Sequence, residues 1–313
     1  MVVSACGFHG SGETVRDAAP GLDAAGDTAG DGPGSQVADC WSRWLDGPLA
    51  IDASSVQELT ELALPNVDDR NPWISDNGRH LYFSRNQGQS DVYLATRGSS
   101  TGAFSSANPV AGMNSGQADS RAWLTPDELT AALASDRNGS LQIYLAGRSA
   151  EGDPFGTPDR GHLTAVNSVG NLRFDPYLSP DGLRLYFAAD SGPSNKLQIR
   201  IATRMGATAD FGTSAVVPGT GGSSSNMADP ALYQNERLLL FSAFPSAMGA
   251  TGDLWYATRA DIADSFGTPV RIPSVNSGSN DFDPVLSADG CELYFASTRD
   301  GGRFHLFHAQ VMK

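Results

Sequence analysis

The chain has 313 residues, 40% of them hydrophobic, and carries a formal net charge of −14. This charge argues against a nucleic-acid partner, because binding to phosphates requires an excess of Lys and Arg. No apolar segment is long enough to span a bilayer, and the composition fits one globular body preceded by a tail.

Residues 1–40 are predicted to be an acidic tether. They contain six acids against one arginine, and Gly, Ala and Ser fill most of the other positions. So little apolar surface cannot offset the entropy of ordering the chain, so we expect no fixed structure here. Packing is expected to begin in residues 41–58, which include Trp41, Trp44 and Leu45.

The sequence Val-Ser-Ala-Cys at residues 3–6 matches the bacterial lipobox, in which small residues precede a Cys that becomes acylated. A lipid on Cys6 would place the protein in the cell envelope, as a lipoprotein of the periplasm or outer membrane that touches the membrane only through its lipid. No basic and apolar leader of the usual length precedes Cys6, so we expect that the signal peptide is truncated. The alternative is an ordinary thiol in a tail.

From residue 68 onward the chain repeats itself with a period of 54 residues. The clearest copies are residues 175–182, Asp-Pro-Tyr-Leu-Ser-Pro-Asp-Gly, and residues 283–290, Asp-Pro-Val-Leu-Ser-Ala-Asp-Gly. The anchor position, Pro in four copies, falls at 72, 122, 176, 230 and 284. Self-similarity at such a period is typical of repeat architectures.

Each full copy contains four short apolar, β-branched and aromatic runs, separated by turn signals such as Asp-Gly and Pro. Such runs predict antiparallel strands joined by tight turns. Four strands per unit, repeated radially, predict an all-β fold, a β-propeller of five four-stranded blades, with six blades as the alternative count. The predicted blades cover residues 68–115, 116–168, 169–222, 223–277 and 278–313.

The fifth copy ends after its third strand, so its outer strand must come from elsewhere. Residues 59–67 resemble residues 267–275, which hold the outer strand of the fourth copy. We therefore expect residues 59–65 to close the last blade, so that the propeller spans residues 59–313 and few strand edges are exposed. The alternative is a free N-terminal strand on an open array.

The pattern Asp-Pro-x-Leu-Ser-Pro-Asp-Gly, followed by Leu-Tyr-Phe-Ala, resembles the WD-like repeat of PD type in TolB-like propellers. The resemblance covers residues 59–313 and implies a propeller that binds partners in the cell envelope. The chain lacks the N-terminal α/β domain of TolB, so we do not expect it to be TolB itself. It also lacks a Gly-x-Ser-x-Gly elbow, which excludes a propeller-gated serine peptidase.

The residue before each anchor is expected at the mouth of the central channel, because the innermost strand of a blade runs along it. These residues are Asn71, Arg121, Asp175, Asp229 and Asp283, with Asp69, Asp119 and Asp281 two positions before three of them. Carboxylates that converge on one axis can bind a hard cation such as Ca²⁺ or receive a basic loop of a partner. The alternative is that each Asp caps its own turn through backbone N–H groups.

Closure of the ring would bring Cys40 and Cys291 into one neighbourhood, so a disulfide between them is a hypothesis, with two unrelated thiols as the alternative. Such a bond would clasp the ring and add a few kcal/mol of stability.

Two other sets of residues recur with the repeat, so we expect them to stabilise the repeated fold. Each residue of the first set lies at the end of a third strand and is expected to anchor blades or loops: Arg97, Arg148, Arg204 and Arg259. Trp73, Trp123 and Tyr177 follow the anchor and are expected to pack between blades, with an aromatic platform for a sugar as the alternative.

Two functions from different classes fit these features. The first is a non-catalytic, monomeric envelope protein whose propeller face binds a protein or a cell-wall polysaccharide. The second is a glycan-active enzyme, because five-bladed propellers also host glycosidases, which need two or three carboxylates in unequal environments. Most axial acids belong to the repeat, which favours the first function. We assign no catalytic residue, and no cofactor besides the Ca²⁺ considered above.

Overall fold

The structure, a computed structural model, describes residues 39–190, 196–220, 225–245 and 251–313. Cys6 and nearly all of the predicted tether lie outside these ranges. The described chain is almost entirely β, with one short helix, α1 (Trp41–Leu45), and two 3₁₀ turns at Ala53–Ser55 and Val166–Ser168. None of its helices is long and apolar enough to cross a membrane.

The described strands form five antiparallel sheets that follow one another in a ring. In chain order they are β1 (Gln57–Glu58), β2 (Asp68–Ile74), β3 (His80–Asn86), β4 (Ser90–Thr96), β5 (Asn108–Pro109), β6 (Asp119–Leu124), β7 (Thr130–Ser135), β8 (Gln142–Gly147), β9 (Arg173–Leu178), β10 (Arg184–Asp190), β11 (Leu197–Thr203), β12 (Ala215–Val216), β13 (Ser225–Tyr233), β14 (Leu238–Pro245), β15 (Asp253–Thr258), β16 (Val270–Arg271), β17 (Asp281–Leu286), β18 (Glu292–Ser297) and β19 (His305–Gln310). The prediction of a five-bladed propeller is confirmed.

Blade 1 contains β2–β5, blade 2 β6–β8, blade 3 β9–β12, blade 4 β13–β16, and blade 5 β17–β19 with β1. Blade 2 has three strands, and a single bridge between Leu145 and Asp159 takes the place of its outer strand. The innermost strand of each blade lies at the axis, and its turn to the second strand lies on one face of the ring.

The N-terminal strand closes the ring as predicted, but at a different register. β1 pairs with β19, with Gln57 opposite His308, whereas residues 59–65 do not form this strand. The N–H of Leu59 still donates to the carbonyl of Leu306 (2.8 Å), and the chain then turns away. The closing strand is therefore shorter and lies upstream of the predicted one.

A buried apolar pair decides this register. Leu59 and Leu62 are 6% and 3% exposed and pack between blades 5 and 1. Ile272 and Val275, which follow the outer strand of blade 4, are buried in the same way between blades 4 and 5. The equivalent of Leu59 is therefore Ile272, and not Gly267 as the sequence alignment predicted, because the burial of both apolar side chains stabilises this register.

Each innermost strand is interrupted by a β-bulge at its anchor. The residue before the anchor has a left-handed backbone, with φ between 51° and 61°, at Asn71, Arg121, Asp175, Asp229 and Asp283. Asn and Asp tolerate this conformation better than most residues do, which gives the recurring Asp a role in the backbone.

The hydrophobic core consists of five clusters, one between each pair of neighbouring blades. The indole of Trp123 packs against all five clusters, which places it on the propeller axis. It also contacts Tyr177, with ring centroids 4.7 Å apart and ring planes tilted by 51°. Trp123 therefore fills the centre of the ring.

The segment before the closing strand is fastened to blade 5. A disulfide joins Cys40 to Cys291, with Cα atoms 5.0 Å apart. The buried indole of Trp44 donates from Nε1 to the carbonyl of Gly290 (2.9 Å).

In the other blades, an arginine makes the hydrogen bond that Trp44 makes in blade 5. Nε of the arginine that ends the third strand donates to the turn of its own blade at 2.5–2.8 Å, in Arg97, Arg148, Arg204 and Arg259. Blade 5 has Val311 at that position, so α1 supplies the missing donor through Trp44.

Candidate functional site

A polar cavity of about 40 Å³ lies on the axis, where the five bulges meet. Asp175, Asp229 and Asp283 line it together with Asn71 and Arg121. All three Asp residues are buried. The structure thus brings three of the six predicted axial acids together.

Two guanidinium groups offset part of this negative charge. Arg70 binds Asp283 through two N–H groups, at 3.0 and 3.2 Å. Arg121 forms an ion pair with Asp175. Among the described residues Asp229 has no such partner of its own, so the cluster keeps one carboxyl group without an ion pair.

The axial carboxylates cap the neighbouring blade and not their own turn, which corrects the alternative stated above. Asp283 accepts the backbone N–H of Asn71 (3.1 Å), and Asp175 accepts that of Asp229 (3.3 Å). The equivalent N–H of Asp283 donates to the hydroxyl of Ser242 instead (3.0 Å). Oδ2 of Asp229 is consequently buried without a hydrogen-bond partner.

Burial raises the pKa of Asp229 to about 6 and also raises the pKa of Asp283, and a neighbouring carboxylate adds to each shift. Because Arg70 holds Asp283 through two charge-assisted bonds, we place the proton of this pair on Asp229. The three carboxylates, the two guanidinium groups and this one proton then give the cluster a net charge of zero. A Ca²⁺ ion would have to displace both arginines, so these residues fit a proton better than Ca²⁺.

Three of the predicted axial acids do not line this cavity. Asp69, Asp119 and Asp281 are at most 1% exposed, and each is paired with an arginine near the end of its second strand. These partners are Arg85, Arg137 and Arg299. The prediction assumed an unbroken strand, whereas the bulge turns positions two apart to different sides.

A funnel of about 620 Å³ opens on the face that carries the turns between first and second strands. Its aromatic lining is Trp73, Trp123, Tyr177, Tyr233 and, from α1, Trp41. Trp123 also lines the axial cavity, so its indole separates the funnel from the acids below. The volume is that of an ordinary ligand site.

Blade 4 builds one side of the funnel with a strained turn. Gln234, Asn235 and Glu236 all have left-handed backbones, with φ between 52° and 61°. Backbone strain of this kind is more frequent at functional sites than elsewhere. Beside this turn, Tyr233 stacks on Trp41, with ring centroids 5.8 Å apart.

The charged groups of the funnel are unevenly paired. Arg184 binds both Asp181 (3.1 Å) and Glu236 (2.6 Å). Asp76 has no ion pair among the described residues; burial raises the pKa of its carboxyl group, and the charge of Glu128 raises it further.

A His–Glu–Glu group lies between blades 1 and 2. Nδ1 of His80 lies 2.9 Å from Glu128 and 3.6 Å from Glu151, and these side chains are of the types that bind transition metals. The carboxylate of Glu128 also accepts the hydroxyl of Tyr82 (2.9 Å) and pairs with Arg148 (3.3 Å).

The same contacts recur between blades 3 and 4 with a different cation. There Glu236 accepts the hydroxyl of Tyr186 and pairs with Arg184, which occupies the position of His80 in its blade. Since a permanent cation fills that position equally well, we assign the His80 and Glu128 pair to contact between blades.

The residues that sequence analysis missed in the funnel are Trp41, Asp76 and Tyr233. Trp41 lies outside the repeat, so the period carries no information about it. Tyr233 stands where the other copies have Ser or Thr, and this departure was the available signal.

Comparison with known proteins identifies the fold. No protein-family model matches the chain, and a search of curated proteins finds no match. Among solved structures, an α-L-arabinofuranosidase from Podospora anserina in complex with cellotriose matches with a TM-score of 0.57 and 11% identity, over 81% of this chain and 95% of that one. An α-L-arabinofuranosidase from Lactobacillus brevis gives 0.56 and 15%, over 82% and 94%.

A TolB from Acinetobacter baumannii also matches, with a TM-score of 0.49 and 16% identity over 79% of this chain. The chain spans 55% of the length of that TolB. At these identities the similarities show the propeller fold alone.

Proposed function

We propose that the protein is a non-catalytic binding protein of the bacterial cell envelope, which holds part of a protein or of a cell-wall polysaccharide in its funnel. One observation carries this proposal. The funnel is open, aromatic and about 620 Å³ in volume, whereas the axial acids lie beneath Trp123 in a cavity of about 40 Å³. Ligand sites usually measure about 300–1,000 Å³, so of these two spaces it is the funnel that has room for a ligand.

Glycosidase chemistry would require more of the axial acids than ligand binding in the funnel does. It needs two carboxyl groups on either side of a bound sugar. The side chains of Asp175 and Asp283 are 4% and 2% exposed, and both are held by arginines. The cavity that they line, about 40 Å³, is too small for a sugar ring.

A glycan-active enzyme remains the second candidate because of two observations. The similar structures include arabinofuranosidases. In addition, burial raises the pKa of Asp229 to about 6, which suits a group that donates a proton near neutral pH.

The proposed location in the envelope is supported by the disulfide between Cys40 and Cys291, since such bonds persist in oxidising compartments. A lipid on Cys6 would tether the propeller there. We propose that the protein acts as a monomer.

Binding is tested with a variant that blocks the funnel. Ala288 is exposed and lines the funnel, so Ala288→Trp fills its mouth without altering the core, and Ala288→Ser is the matched control. We expect a cell-wall polysaccharide or an envelope protein to bind the wild type and Ala288→Ser but not Ala288→Trp. Equal binding by all three forms would rule out the funnel as the site.

The enzyme alternative is tested on the same polysaccharides by release of reducing ends. We expect no turnover by the wild type. Turnover that is abolished by Asp175→Asn, Asp229→Asn or Asp283→Asn alone would instead establish a glycosidase.

A further inference from the structure

We propose that the funnel receives a cationic side chain, the ammonium or guanidinium group of a Lys or Arg on a partner protein, and holds it between the carboxylate of Asp76 and the aromatic walls. This inference rests on the proposed function, because it names the chemistry of the segment that enters the funnel.

Asp76 is the first feature that points to a cation. Among the described residues no positive charge is paired with it, and both burial and the charge of Glu128 raise the pKa of its carboxyl group. In contrast, Asp181 and Glu236 share Arg184. Asp76 is exposed in the lining of the funnel, so a cationic ligand can reach its carboxylate and supply the missing counter-charge.

The aromatic walls are the second feature. Trp41, Trp123, Tyr177 and Tyr233 all line the same space, in two pairs whose ring centroids lie 5.8 and 4.7 Å apart. The faces of such rings attract cations, and indole does so most strongly. The funnel is lined by four acids, Asp76, Asp181, Glu236 and Asp261, and by two arginines, Arg184 and Arg237. This excess of negative charge beside several aromatic rings favours an organic cation over an anion.

The remaining observations decide between a cation and a neutral sugar. The formal charge of −14 attracts cationic partners over long distances. The rim adds Asp261, whose exposed carboxylate accepts the N–H of Ala263 (3.0 Å) and no guanidinium among the described residues. A sugar could stack on the aromatic walls, but it would leave Asp76 without a counter-charge. The funnel volume also exceeds that of a lone ion, which favours a side chain on a peptide segment.

The test compares two peptides that differ in charge alone. The probes are acetyl-Gly-Arg-Gly-amide and the same peptide with citrulline, whose urea group has the shape of guanidinium without its charge. Binding is followed at about 0.15 M salt through the NMR signals of the indole N–H groups of the five Trp residues. We expect the arginine peptide to bind at least about tenfold more tightly.

Two variants connect that preference to Asp76. Asp76→Asn should abolish the difference between the peptides. Asp300→Asn should retain it, because Asp300 is an exposed acid in the loop between β18 and β19, on the face opposite to the funnel.

Three results would overturn the inference: no binding of the arginine peptide, equal binding of both peptides, or a preference that persists in Asp76→Asn. The proposed function is judged separately. If a neutral polysaccharide binds the wild type and not Ala288→Trp, the funnel is the binding site, and only the assignment of a cationic ligand is wrong.

Discussion

The substitution Asp229→Asn should remove the pH dependence that Asp229 imparts to the stability of the protein. Burial raises the pKa of Asp229 from 3.8 to about 6, so between these values the folded protein holds a proton that the unfolded chain has released. The free energy of unfolding therefore falls as the pH rises through this window, and the stabilisation present below pH 4 is lost above about pH 6.

The size of the effect follows from the shift in pKa. A shift from 3.8 to about 6 corresponds to about 3 kcal/mol, since one unit is worth about 1.4 kcal/mol. Asn resembles the protonated acid and cannot ionise. Asp229→Asn should therefore be more stable than the wild type by about 1 kcal/mol at pH 4.5 and by up to about 3 kcal/mol at pH 8.

Urea denaturation at both pH values, with the disulfide intact, measures this difference. Asp175→Asn is the control, because it leaves Arg121 without its partner and should destabilise the protein at pH 8. If Asp229→Asn changes the free energy of unfolding equally at pH 4.5 and pH 8, or destabilises the protein at pH 8, the assignment of the proton to Asp229 is wrong.

Three further predictions concern the scaffold, and thermal or urea unfolding measures each. Trp44→Phe should lower the free energy of unfolding by about 1–3 kcal/mol, since it leaves a carbonyl of blade 5 without its donor; an unchanged midpoint would contradict the role of α1. Reduction of the Cys40–Cys291 bond, which joins residues 251 positions apart, should cost roughly 2–5 kcal/mol, and a Cys→Ser double variant should then show no response to reductant. Gly219→Ala should cost more than about 2 kcal/mol, because its φ is +89° and a Cβ would lie 2.0 Å from a backbone oxygen, whereas Gly206→Ala, with open space around it, should be neutral.

Some features of this fold follow from sequence patterns within one repeat, whereas others depend on contacts between distant parts of the chain. Strand content and blade number follow from short-range patterns, because each 54-residue copy contains its own strands and turns. The expectation that the chain closes its own ring was also correct, since the fifth copy lacks an outer strand. Its register was wrong because Leu59 and Leu62 find their buried positions only against two assembled blades.

The axial acids show the same division. The recurrence of Asp before the anchor predicted that Asp175, Asp229 and Asp283 converge, and they do. The same reasoning failed for Asp69 and Asp119, because a bulge between these positions and the anchor cannot be read from an alternating pattern.

The sequence by itself determined that similar four-stranded units follow one another around a ring, because hydrophobic period and turn residues act within each unit. The tertiary structure alone decided which side chains face the open funnel. Trp41 lies in a segment outside the repeat, and Tyr233 replaces a repeat hydroxyl, yet both come to lie beside Asp76 of another blade. Contacts between residues this far apart in the chain depend on the closed ring, and no local pattern encodes them.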